Sequence, residues 1–162
     1  GKLLGILNAH GVLIPEAIAA LRRGVLFDVG HGTSSFSYKT LMSFRESYDE
    51  PFTTSTDLYK LNYDNPVCSL MTTMTKLLAL GVPFMEVVRS VTVKAAQALR
   101  LNERGTLTLG SKADITLFKK VESRTIVIDS EGEKLEAKEI LVPYIVLKDG
   151  KVVYHDESKK PE

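Results

Sequence analysis

Several things are scarce in this chain. It has one cysteine in 162 residues, Cys68, so an internal disulfide is excluded, and a lone thiol suits a reducing compartment. The expected location is therefore cytoplasmic, with Cys68 a bystander. Neither sign of charge dominates: the net charge is +1, and no basic cluster occurs beyond Lys159-Lys160. That argues against nucleic acid or an anionic membrane surface as a partner. The apolar runs are far too short to cross a bilayer, and the opening residues carry no signal-peptide pattern. Internal repeats and low-complexity stretches are absent too. With 44% hydrophobic and 25% charged residues, the composition is that of an ordinary globular protein.

The sequence opens on Gly1-Lys2, without Met, in a Gly-rich turn region. The expectation is a fragment or a processed piece. Residues 3 to 13 read as loop, broken by Gly5, Asn8 and Gly11. Pro15 then opens a helix, with Glu16 at the positive end of its dipole and Ile14, Ile18 and Leu21 at helical spacing. Arg22 and Arg23 fall in the last turn, and Gly24 stops the helix. Val25 to Val29 reads as a buried strand ending in Gly30-His31-Gly32. The two glycines permit a sharp turn, which is expected to leave the imidazole accessible. A helix follows over 36–47.

The chain turns on the stretch Phe52 to Leu58. A short β-prone run ends in Asp57, ahead of turn residues 62–66 and a helix over 69–80. A carboxylate at the C-terminal end of a strand, before a loop and a helix, is where a parallel α/β barrel keeps catalytic groups. Asp is also a common cap residue, so spacing alone leaves both readings open. Pro83 starts a further helix with Phe84, Val87, Val88 and Val91 on one face, and Thr92 is expected to cap a short one through Leu99. The Met and Leu stripes of these helices read as core. Helix and strand alternate to this point, which predicts parallel strands with crossover helices.

Beyond Leu101 the character changes to β. Gly105 to Gly110 reads as a short strand, Ala113 to Phe118 as a buried strand, and Arg124 to Asp129 alternates around Ile126 and Ile128. Residues 130–133 form a turn. Pro143–Leu147 and Lys151–Tyr154 flank Asp149-Gly150, a strong type I′ hairpin signal. The organisation expected is 1–103 for the α/β part, 104–156 for a small antiparallel β unit, and a frayed polar tail over 157–162.

Three segments carry a family resemblance: Phe27-Asp28-Val29-Gly30-His31-Gly32, Ser55-Thr56-Asp57-Leu58 and Thr72 to Gly81. In order and spacing they resemble the C-terminal part of amidohydrolase-superfamily enzymes, closest to the dihydroorotase-like amidohydrolase/deacetylase group. Gly105 to Phe118 resembles the passage from the barrel to a β-sandwich, and Tyr144 to Tyr154 resembles the closing hairpin of that sandwich. The resemblance implies an α/β fold: the last two strands and closing helices of a (β/α)8 TIM barrel, then part of a composite β-sandwich. It implies one or two divalent metal ions, zinc first among them. The family's His-x-His pair is absent, and three histidines cannot supply the other ligands. Isolated activity is therefore not expected.

Under the resemblance Asp57 matches the aspartate that ends the eighth barrel strand, a metal ligand and the acceptor of a proton from the attacking water. His31 has three readings: substrate or carbonyl contact at the barrel mouth (the preferred one), metal ligand, or a structural imidazole bonded to its own Gly-rich loop. Asp28 reads as a loop anchor or salt-bridge partner. Ser34, Ser35, Tyr59 and Asn65 lie on the loops above the mouth. His10 and His155 are expected in solvent. The implied function is metal-dependent hydrolysis of amide or ester bonds in small acylated amino or hydroxy acids. A dihydroorotase-type cyclic-amide hydrolase and a non-catalytic structural homologue are the alternatives. Partners implied are a small-molecule substrate and further copies of the chain, as a homo-oligomer.

Overall fold

The computed structural model describes residues 5–48, 51–64 and 66–160. The α/β part begins with a turn in which Asn8 Oδ1 accepts from the backbone of His10 and Val12, closing a bridge between Leu7 and Leu13. Helix α1, Pro15–Arg22, follows with proline in its first turn, and Gly24 at φ 81° ends it. Strand β1, Asp28–Gly30, leads to α2, Tyr38–Ser47, whose N-cap Ser37 accepts from Thr40 N. Strand β2, Thr53–Ser55, leads to α3, Leu70–Ala79, capped in the same way by Ser69 on Thr72 N. Helices α4, Phe84–Val91, and α5, Val93–Ala98, complete this part.

β1 and β2 pair in parallel, Asp28 opposite Thr53 and Gly30 opposite Ser55. The ladder is extended at both ends by Thr53 N to Phe27 O, His31 N to Ser55 O and Gly32 N to Thr56 O. Parallel pairing is what the alternation of helix and strand predicts. The first strand is shorter than the reading of 25–29: Val25 and Leu26 are about half exposed, at 46% and 49%. Among the described residues β1 has no strand on its other edge, and Val25 N bonds back to Ala20 O of α1 instead of joining a ladder.

The second part is one antiparallel sheet of three strands in sequence order: β3, Ile115–Ile128, β4, Lys134–Lys148, and β5, Lys151–His155. The two long strands form a hairpin whose tip is the turn 129–133. Asp149 and Gly150 both have positive φ, 47° and 77°, as the type I′ turn between β4 and β5 requires. Four local expectations need correction or refinement. Residues 105–110 form no strand; Leu107 and Leu109 are 84% and 100% exposed, since no described strand lies beside them. Near the hairpin tip it is Val127 that turns inward, while Ile126 is 53% exposed. Thr92 stands at the N-cap position of α5, as expected, but its side chain makes no cap bond, because the hydroxyl donates back to Val88 O at 2.6 Å. The tail is not simply frayed: Glu157–Lys159 make a 3-10 turn capped by Asp156.

One cluster of buried apolar side chains runs through both parts. It joins Leu13, Phe36, Leu41, Phe44 and Phe52 to Met74 and Leu77 of α3, and these to Val127, Ala137 and Leu141 of the sheet. Helix α3 lies at the centre and is buried over Thr73–Leu77. The Met and Leu stripes are core, as the spacing indicates. The sheet is held to α3 by polar contact as well, since Leu141 N donates to Thr75 Oγ1 at 3.2 Å.

Candidate functional site around Asp57

Asp57 follows β2 by two residues and has φ 47°. A left-handed conformation is uncommon outside glycine, although Asp and Asn tolerate it best. Asn62 holds it there. This side chain is fully buried; its Nδ2 donates to Asp57 O at 2.9 Å and its Oδ1 accepts from Tyr59 N at 2.8 Å. Thr56 Oγ1 accepts from Leu58 N at 3.3 Å, tightening the same bend. The Asp57 side chain is thereby presented at the strand end, in an exposed residue.

The carboxylate rests against the loop that follows β1. A methyl group on Gly32 would lie 2.8 Å from Asp57 Oδ2, and Gly32 has φ 52°. Glycine is needed there twice over, for the backbone conformation and for the close approach. Thr33 Oγ1 and Tyr59 Oη lie 2.8 Å apart and join the two loops above.

His31 is the main correction. Its imidazole is not accessible but fully buried, stacked at a tilt on Phe36 with ring centroids 4.8 Å apart. Both nitrogens are engaged: Nδ1 lies 2.9 Å from Gly32 O, and Nε2 lies 2.6 Å from Lys76 Nζ. A carbonyl can only accept, so Nδ1 carries the proton and Nε2 accepts from Lys76. This geometry favours the third reading of His31, an imidazole bonded to its own loop. Burial lowers its pKa, the bond to Gly32 opposes that, and the Lys76 charge lowers it again, so the ring is neutral.

Lys76 escapes sequence reading altogether. It sits on α3 among Met74, Thr75 and Leu77 and is 1% exposed. Its ammonium donates to His31 Nε2 and to Pro66 O at 2.5 Å. Burial pulls its pKa down to about 8, against opposing contributions from Cys68 and Asp129. A lysine inside an amphipathic helix pattern normally reaches water, so composition gives no warning of this one.

The tip of the β3–β4 hairpin closes the other side of the loop. Asp129, 2% exposed, accepts from Tyr38 N, Glu131 N and Glu133 N at 2.8–2.9 Å. Ser130 Oγ lies 3.2 Å from His31 O, and Ser130 N donates to Phe36 O at 2.9 Å. Burial, with Asp129 nearby, raises the pKa of Tyr38. Asp28 is a hydroxyl anchor rather than a salt-bridge partner: it accepts from Thr53 Oγ1 at 2.7 Å and from Ser55 Oγ. A cleft of about 500 Å3 beside this loop is lined by Asp28, Ser34, Ser35 and Glu131, but not by Asp57. Asn65 lies outside the described residues. His10 and His155 are exposed, the latter 3.0 Å from Glu157.

A carboxylate at the end of a parallel strand, facing a glycine on the neighbouring loop, is the arrangement to compare with known proteins. The family model of the amidohydrolases matches residues 8–153. The chain belongs to the amidohydrolase family. A deacetylase of Enterococcus faecalis is 35% identical over 154 residues, 94% of this chain and 42% of that protein. A deacetylase of Agrobacterium fabrum is 38% identical over 120 residues, 74% of this chain and 30% of that one. Among solved structures, an adenine deaminase superposes with a TM-score of 0.87 at 35% identity, covering 96% of this chain and 43% of that one. A dihydroorotase superposes at 0.75 and 33% identity, covering 87% and 37%. This amidohydrolase chain thus spans between 30% and 43% of the length of these relatives, and its fold is mixed α/β.

Amidohydrolases generally use divalent metals. Among the described residues no three His, Cys, Asp or Glu side chains converge to hold an ion. Asp57 fits one ligand position: its oxygens are hard donors, and no described side chain or amide is bonded to them. His31 does not fit, because both its nitrogens are occupied.

Proposed function

We propose that Asp57 is the metal-binding and proton-accepting carboxylate of a hydrolase acting on amide or ester bonds of small acylated molecules. The observation that carries this reading is the unbonded carboxylate of Asp57, held in a left-handed conformation at the end of β2 against Gly32. A cap residue would spend its carboxylate on backbone N–H groups; Asp57 spends none, and its loop is pinned through its carbonyl by Asn62 instead.

On this reading β1 and β2 are the last two strands of a (β/α)8 barrel, and β3–β5 belong to a β-sandwich completed elsewhere in the protein. A divalent ion, zinc first among the candidates, would supply Lewis acidity, polarising a carbonyl and bringing the pKa of water to ~7. Asp57 would hold one side of that ion. Its free oxygen would take the proton of the attacking water and return it to the leaving amine or alcohol. Gly32, with no side chain, leaves room for the carboxylate, and the Thr33–Tyr59 contact keeps the two loops together. The remaining ligands would come from residues outside this chain.

Two deacetylase-named relatives support removal of an acetyl group as the reaction, and acylated amino or hydroxy acids are the substrate class proposed for it. The dihydroorotase neighbour makes cyclic-amide hydrolysis the second reading. The protein would work in the cytoplasm as a homo-oligomer on a small-molecule substrate.

The test is Asp57→Asn in the full-length protein. Asn is nearly isosteric but cannot accept the proton and is a weaker ligand. Turnover at saturating metal should fall by ~10²–10⁴ from loss of the base alone, with the circular dichroism spectrum unchanged. Activity within a few fold of wild type would remove Asp57 from the mechanism.

A further inference from the structure

Lys76 has no part in the hydrolysis proposed above. A lysine is among the residues least often fully buried, and this one is 1% exposed in the last turn of the central helix. Its two acceptors are far apart in sequence. His31 belongs to the loop after β1, and Pro66 to the loop after β2. Asp57 opens the second of these loops: its carboxylate faces Gly32 of the first, and its backbone carbonyl is pinned by Asn62 of its own loop.

We propose that Lys76 is a positioning residue: donating at once to His31 Nε2 and to the Pro66 carbonyl, it ties the loop after β1 to the loop after β2 and so fixes the place of Asp57 against Gly32. The inference rests on the reading of Asp57 given above. The chain of contacts is continuous. Lys76 donates to His31 Nε2, which commits the proton to Nδ1; Nδ1–H donates to Gly32 O; and Gly32 backs the Asp57 carboxylate. From the other side Ser130 braces the carbonyl of His31, and Phe36 stacks on the ring. The charged and titratable groups that act on Lys76 from neighbouring elements are Asp129, on the hairpin tip, and Cys68, just before α3. Neither bonds to it, so its two acceptors remain His31 and Pro66.

This arrangement forces an unusual protonation. A free neutral imidazole prefers the proton on Nε2, whereas a donor at Nε2 and an acceptor at Nδ1 require the opposite tautomer. The 15N spectrum of the His31 ring in the full-length protein at neutral pH therefore gives a direct reading. The expected state is neutral with the proton on Nδ1; a proton on Nε2, or an imidazolium, overturns the proposal without any substitution being made.

The second arm is Lys76→Met, which keeps length and apolar stem but removes the donor. The expected result is that the amide resonances of Gly32 and Asp57 shift. At the same time kcat falls roughly tenfold to a hundredfold with KM within about threefold, the scale of an ångström-level misplacement of a reacting group. Unmoved Gly32 and Asp57 resonances with kcat within threefold of wild type would overturn the positioning role. If the variant does not fold, the tautomer in the unaltered protein still decides. If Asp57→Asn were active, the reading of Asp57 would fail while the Nδ1–H tautomer stood, so the two failures are distinguishable.

Discussion

Replacing Asn62 by Ala should damage both stability and turnover, and the structure says why. Asn62 is fully buried and bridges Tyr59 N and Asp57 O at 2.8 and 2.9 Å. Without it, one backbone donor and one acceptor lose their partner. Sealed from water, each would cost about 1–3 kcal/mol. Asp57 and Tyr59 are exposed residues, so water recovers part of that. A total near 2 kcal/mol is the working figure, equivalent to about 4–8 °C in Tm for a chain of 150–250 residues and less for a longer one. The larger effect is on turnover. Asp57 keeps φ 47° because its carbonyl is held; released, the residue relaxes toward negative φ and the carboxylate swings off Gly32. A loss of roughly a hundredfold in kcat is expected from such a misplacement. Asn62→Asp sharpens the experiment. It keeps the acceptor for Tyr59 N but sets an oxygen against the Asp57 carbonyl, so turnover should fall as in the Ala variant although the side chain is nearly the same size. Urea unfolding and steady-state kinetics on the full-length protein measure both effects. An Ala variant with less than about 0.5 kcal/mol lost and turnover within threefold of wild type would refute the bracing role.

Gly32→Ala should lower turnover even where metal content is retained, because its methyl group would meet Asp57 Oδ2 at 2.8 Å while φ 52° strains the new residue; kinetics with metal analysis checks it. Gly105→Ala should cost about 1–3 kcal/mol or more by overpacking, since its Cβ would lie 2.8 Å from backbone atoms of Thr92, and urea midpoints report it. Leu77→Ala, at a fully buried position of the central helix, should cost about 2–5 kcal/mol in the same assay. Stability should also depend on pH through Lys76. Its folded pKa of about 8 lies below the ordinary lysine value, so from about pH 8 upward the unfolded chain binds the extra proton and stability rises with pH. Tyr38, whose pKa is raised, opposes this above its ordinary value of 10.0. Lys76→Met should flatten the rise between these limits, as denaturation at stepped pH would show.

Local grammar was the readable part of this chain. Pro15 opens a helix, Gly24 ends it and Asp149-Gly150 turns a hairpin, each because a single residue type meets a local backbone need. Asp57 was visible for the same reason, as a carboxylate at a strand end. The bracket around it was not. Lys76 looks like any lysine on a helix, and its burial is decided by residues 31 and 66, far away in sequence. Gly30-His31-Gly32 suggested an open turn, yet Phe36 and Ser130 cover the ring and its carbonyl from outside the motif. The first half of β4 was equally hidden. Lys134, Glu136, Lys138 and Glu139 give it a polar surface, and only the inward Ala137 and Leu141 mark it as a strand. Val25 and Leu26 failed in the opposite sense: their apolar character promised cover that no described strand provides.

The hairpin of β3 and β4 has a consequence for how this protein can vary in length. β3 is 14 residues long, and at ~3.3 Å per residue it works as a measuring rod that delivers Asp129 and Ser130 to one spot on the loop after β1. Two residues added to each strand would carry the tip some 7 Å past Tyr38 N. One residue added to a single strand would turn its inward side chains outward. Insertions should therefore be tolerated in the exposed run 106–110 and rejected along the rod, so that homologous proteins differing in size there would need a compensating change in the loop over 31–37.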